Sequence, residues 1–129
     1  MENMTQEQKT LLIRDLCARL PYGVKCTYYD KCVDEQNEGT ITGIQNGTYF
    51  VIDGVCIDVE NVKPYLFPIS SMNERLREEH KDLLDNDGYT LDANGNVFTL
   101  QDFYCKYHLD YRGFIPLGLA VDATGLGIY

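Results

Sequence analysis

A chain of 129 residues, 44% of them hydrophobic, is long enough to build its own core, and neither a metal nor a disulfide is needed to hold it together. Twenty acidic against eleven basic residues give a net charge of -9, and the basic residues are scattered, so direct binding to nucleic acid is disfavoured. There is no run of about 18 apolar residues to span a membrane. The first nine residues, MENMTQEQK, lack both the basic and the apolar region of a signal peptide. On that reading the five cysteines, an odd number, are reduced thiols of a cytoplasmic protein.

The predicted elements begin with a helix. Thr5 and Gln8 have capping-box spacing, and Leu12, Ile13, Leu16, Cys17 and Leu20 recur at helical intervals, which predicts a helix over about 6–20. Pro21 and Gly23 break it, and 24–29 has strand composition. The polar, acidic segment 30–38 is expected to be a loop. The clearest signal follows in 39–59, where two β-branched and aromatic runs meet at Asn46-Gly47 and a third follows Asp53-Gly54. These dipeptides favour positive φ and so predict a three-stranded antiparallel meander. With two-residue turns, Ile41, Phe50, Ile52, Val55, Ile57 and Val59 share the packed face, while Thr42, Ile44, Tyr49, Val51, Cys56 and Asp58 share the other.

A last short strand over 63–67 is predicted as an edge, because Pro64 and Pro68 cannot donate to a ladder. Five short strands with tight turns suggest a small antiparallel β-barrel of the Src-homology-3-like or Tudor-like type, or a curled sheet. The second half, beginning near Pro68, opens with Ser71 and Glu74 as a second capping box, ahead of a helix to about Asp85. A hairpin with arms 89–91 and 97–99, a helix from Thr99 or Leu100 to about His108, and an apolar tail docked on the core complete the chain. The expected class is therefore α+β, with a helix-plus-barrel unit at 1–68 and a helical and hairpin unit at 69–129 packed on it as one compact body.

Two strings stand out. Lys63-Pro64-Tyr65-Leu66 runs into Pro68-Ile69-Ser70-Ser71-Met72, and the tail carries His108-Leu109-Asp110-Tyr111-Arg112-Gly113-Phe114-Ile115-Pro116-Leu117-Gly118-Leu119-Ala120. Both resemble segments of small uncharacterised proteins of gut Bacteroides and their phages and prophages. The resemblance covers about a fifth of the chain. It implies a bacterial or phage intracellular setting and brings no activity with it.

Cys26 and Cys32 are too far apart for a zinc knuckle, which leaves only a composite of Cys26, Cys32, Cys105 and His108 as a metal candidate. Asp85 to Gly88 and Asp92 to Gly95 fail the EF-hand register and read as turns. The sharpest catalytic set is Cys105, His108 and Asp110, a thiol or metal-dependent site. Phosphate-cradling glycine loops are missing. No cofactor, metal or catalytic residue is therefore assigned. Ten tyrosines and no tryptophan point instead to recognition. Tyr28, Tyr29 and Tyr49, beside Asp34, Glu35 and Glu38, are expected to form a groove for a basic or peptide partner. The reading is a non-enzymatic interaction module, most simply protein-binding. The alternatives are the Cys105/His108/Asp110 enzyme and an acidic decoy that mimics nucleic acid.

Overall fold

The computed structural model describes residues 4–129. Helix α1 spans Gln6–Arg19, and its capping box forms as expected: the Gln8 amide donates to Thr5 Oγ1 and the Thr5 amide to Gln8 Oε1. A 3-10 turn at Leu20–Tyr22 ends on Gly23, whose φ of 72° closes the helix without a Cβ penalty. Strands β1 (Lys25–Asp30), β2 (Glu35–Gln45), β3 (Tyr49–Ile52) and β4 (Val55–Asp58) run antiparallel, and β5 (Val62–Pro68) returns beside β1. The second half adds α2 (Glu74–Asp85), a separate hairpin of β6 (Tyr89–Leu91) and β7 (Val97–Thr99), and α3 (Leu100–Lys106). Two very short strands, β8 (Leu109–Asp110) and β9 (Val121–Asp122), then pair in parallel with β5.

The sheet order is β4-β3-β2-β1-β5-β8, with β9 also on β5, so the sheet is open and the expected barrel does not close. The reason lies in β5. Its second edge is taken by the tail strands, which leaves no edge for β4 to meet. The sheet nevertheless curls, for β1 approaches β4 although two strands lie between them in the hydrogen-bond order. Gly39 shows how close that approach is: a Cβ there would meet the Asp53 side chain and come within 2.6 Å of Ile52 Cγ2. The turn between β3 and β4 folds over β2 at a point where only glycine leaves room.

Three further expectations are corrected. The acidic segment is not a loop beyond Asp34, because Glu35 to Glu38 belong to β2 and pair with Asp30 to Thr27, leaving a tight hairpin at 31–34 in which Asp34 takes φ 52°. β5 is not an edge: Pro64 precedes the β9 ladder, which starts at Tyr65, and Pro68 ends the strand, so neither ring interrupts the second pairing. The cap of α2 is Asn73, whose side chain accepts from the Leu76 amide, while Ser71 lies in a 3-10 turn and donates to the Pro68 carbonyl.

Two apolar clusters form. The first joins Leu12 and Leu16 of α1 to Val24, Cys26, Ile41, Phe50, Ile52, Ile57, Val62 and Leu66 of the sheet side, and it takes in Phe114, Leu119 and Ala120 from the tail. The second gathers Met72, Leu83, Phe103 and Leu109. Full burial of a Leu or Phe stabilises by about 1.5–3 kcal/mol, so the tail residues are part of the first core in energetic terms and not a late addition.

Candidate functional site

The sheet has an inner face on the core, where Leu12 and Leu16 of α1 and Phe114 of the tail also pack, and an outer face. Alternation along β1 sends Cys26 and Tyr28 inward and Lys25, Thr27 and Tyr29 outward. On the neighbouring strands Gln36 and Glu38 of β2 and Lys63 of β5 stand opposite Tyr29 and Thr27, on the same outer side.

A recess of about 820 Å³ lies there. It is lined by Thr27, Tyr29, Gln36 and Lys63 of the sheet, by Met4 and Gln8 at the α1 end and by Leu117 to Leu119 with Val121 of the tail. The sheet lining is ordered by its own hydrogen bonds, since Gln36 Nε2 donates to Thr27 Oγ1 at 2.7 Å and Thr27 Oγ1 donates to the Asn37 carbonyl at 3.3 Å. The Tyr29 hydroxyl donates to Asp34, and this bond, then burial, raises the phenol above its usual range. Lys9 pairs with Glu60 at the rim. Lys31 and Lys63 also line the recess and have no salt-bridge partner among the described residues. A second hollow, of about 310 Å³, opens near Lys25, Glu38 and Thr40. Tyr65 lines that hollow too, donating its hydroxyl to Glu38 at 2.8 Å.

The expected six-residue groove is only partly brought together. Tyr28 is 8% exposed and belongs to the core. Tyr49 is on the outer face but pairs with Gln45, nine positions along β2 from the Gln36 that pairs with Tyr29, which is about 30 Å of strand. Tyr29, Asp34 and Glu35 do gather at the β1–β2 turn. Of the acids expected in the groove, Asp34 accepts from the Tyr29 hydroxyl, Glu38 accepts from the Tyr65 hydroxyl and Glu35 is exposed, while Glu60, outside that set, pairs with Lys9. What the recess presents to an incoming group is two ammonium ions, an amide and apolar walls. The tail side of this recess was not legible in sequence, because Leu117 to Val121 come from the opposite end of the chain.

The alternative catalytic set is not assembled. Asp110 accepts the amides of Phe114 and Ile115 with its two oxygens, at 2.8 and 2.9 Å, and so holds the tail turn instead of orienting His108. The His108 ring stacks on Tyr129 at 3.7 Å, its Nδ1 is buried without a partner, and no side-chain hydrogen bond joins it to Cys105. Burial, helped by Arg19 and Lys25, pushes His108 down to about 4. Burial pushes the Cys105 thiol up, away from the thiolate that a nucleophile requires. Nor do Cys26, Cys32, Cys105 and His108 converge: Cys26 is in the core, Cys32 is exposed in the hairpin turn, and among the described residues no three such side chains are placed to hold a metal. Asp92 is occupied by its own turn, accepting from Asn94 and Asn96, which lowers it below the usual carboxylate range.

Two expected results follow from these environments. In a thiol-labelling time course on folded protein, Cys32 and Cys56 react first, while Cys26, pushed up to about 12 by burial, and Cys105 react only on unfolding. The second concerns pH. His108 stays neutral in the fold but takes a proton near 6.5 when unfolded, so its contribution is present above pH 6.5 and is lost as pH falls toward about 4. Urea midpoints should fall across that window more steeply for the native chain than for His108→Phe.

No known protein family, characterised protein or solved structure is detectably similar to this chain. Among the described residues no helix is long and apolar enough to cross a membrane.

Proposed function

We propose that this chain is a non-enzymatic protein-binding module whose outer-face recess takes an extended peptide segment bearing a carboxylate. The single observation that supports this is the recess itself. Its 820 Å³ volume is within the range of ligand-binding clefts, its walls are apolar at Leu117, Leu119 and Val121, and Lys31 and Lys63 have no counter-charge among the described residues. The Tyr29 ring supplies a broad amphipathic contact held in place by Asp34, as recognition surfaces use tyrosine. An acidic side chain on the partner would complete the two lysines, and the ordered Thr27–Gln36 pair would lose little entropy on binding. The tail string that resembles Bacteroides and phage proteins includes Leu117 and Leu119, and this supports a bacterial or phage setting and a cytoplasmic partner.

The reading is tested by affinity capture from the native host with the wild-type chain, Tyr29→Ala and Lys63→Glu. A central aromatic or charged anchor removed from such a site weakens binding by about tenfold or more, so the captured partner should fade with both variants. Equal capture by all three proteins would remove the recess from the account.

A further inference from the structure

The hairpin of β6 and β7 carries an uncovered apolar face. Tyr89 pairs with Thr99, Thr90 with Phe98 and Leu91 with Val97. Alternation therefore gathers Tyr89, Leu91 and Val97 on one side and turns Phe98 to the other, where it packs against the second core. Tyr89 is 46% exposed, Leu91 61% and Val97 58%. Directly opposed residues lie about 5 Å apart, so these three form a patch and not scattered single contacts. A two-stranded ribbon is marginal in water on its own, and this one is covered on a single face.

The charge around the patch selects what fits it. Residues 82–105 hold Asp82, Asp85, Asp87, Asp92 and Asp102 and no lysine or arginine. Asp85 and Asp87 are exposed just before β6 and Asp92 just after it, and none of the three has a salt-bridge partner among the described residues. The nearest cation in sequence on the far side, Lys106, lies over the Phe98 and Tyr107 rings, away from the patch.

We infer that this face docks a cationic amphipathic segment of a partner protein, with apolar side chains on Tyr89, Leu91 and Val97 and Lys or Arg against Asp85 and Asp87. A second copy of the chain would bring its own acidic rim against the first, and an anionic lipid surface would be repelled in the same way. The surface is independent of the recess proposed above, so either assignment stands or falls alone.

The probe is a synthetic peptide of leucines and lysines with amphipathic spacing, beside its leucine–glutamate counterpart, each titrated into isotopically labelled full-length protein. Backbone amide shifts are followed in the wild type, in Leu91→Ser/Val97→Ser and in Asp85→Asn/Asp87→Asn. The lysine peptide should move amides across 85–99 and the glutamate peptide should not. Affinity should drop about tenfold or more in the serine variant, and in the asparagine variant both affinity and its salt dependence should decrease. Amide shifts confined to other regions, equal binding by all three proteins, or no binding would overturn the assignment. So would concentration-dependent self-association that the serine variant abolishes, because it would give the face to a second copy.

Discussion

Arg19→Ala is expected to destabilise the protein by about 3–5 kcal/mol, measured as a shift in the urea unfolding midpoint at unchanged slope. Arg19 and Asp15 are both fully buried, one turn apart on α1, and the arginine donates to Asp15 through Nε at 2.7 Å and Nη2 at 3.3 Å. The same Nη2 donates to the Leu109 carbonyl at 2.7 Å, and Arg112 Nε donates to Asp15 Oδ1 at 2.9 Å. The Tyr111 ring lies 5.5 Å from the Arg19 guanidinium and 4.9 Å from that of Arg112, and Tyr104 stacks on it. Removing Arg19 leaves a buried carboxylate half-neutralised and a buried carbonyl unpaired. With a typical domain stability of about 5–15 kcal/mol, that loss is a large fraction of the total. A change below about 1 kcal/mol would mean that the pair is solvated, contrary to its burial.

Phe114→Ala should cost about as much, roughly 3–5 kcal/mol, by opening a cavity in the first core. Phe114 is fully buried among residues from α1 and the sheet, and Asp110 holds its amide in position. Because Phe114 belongs to the chain's second half, the cost measures how far the tail and the first core unfold together. A single cooperative transition shifted to lower urea is the expected form. A separate early transition, with the sheet stability unchanged, would show that the tail docks without supporting the sheet.

How far such features could be read from the sequence depended on how local their causes were. Asp53-Gly54 fixed the β3–β4 turn, and Ile52 pairs with Val55 and Phe50 with Ile57 as its two-residue geometry requires. Asn46-Gly47 gave the right place but the wrong length: Gln45 pairs with Tyr49, so Thr48 joins the loop, and a bulge between Ile41 and Gly43 absorbs the extra residue. That bulge restores the expected Ile41–Ile52 pair and keeps Ile41, Phe50, Ile52, Ile57 and Val59 buried, while Val55, beside the turn on the edge strand, stays 39% exposed. The capping box of α1, the hairpin arms 89–91 and 97–99, and the Thr99 start of α3 were likewise visible in a few neighbouring residues.

Long-range causes were not visible. Nothing near Asp15 or Arg19 marks them as buried, because the groups that accept and balance them, Leu109 and Arg112, lie some 90 residues on. The strands β8 and β9 are two residues each and exist only because β5 offers an edge, so no local pattern announces them, and their presence is what opens the expected barrel. The candidate site divides along the same line. Tyr29 with Asp34 and Glu35 was legible from a short acidic turn, whereas the recess required Leu117 to Val121 to arrive from the tail.

The recess is most directly tested by placing a photo-reactive residue at Leu117, which lines it and is 59% exposed, and irradiating the full-length protein in lysate of its native host. The account predicts one dominant protein adduct from position 117 that is lost when Lys63→Glu is added. An adduct that persists undiminished with Lys63→Glu, or no adduct from 117 while the same probe at Tyr49 yields one, would contradict it.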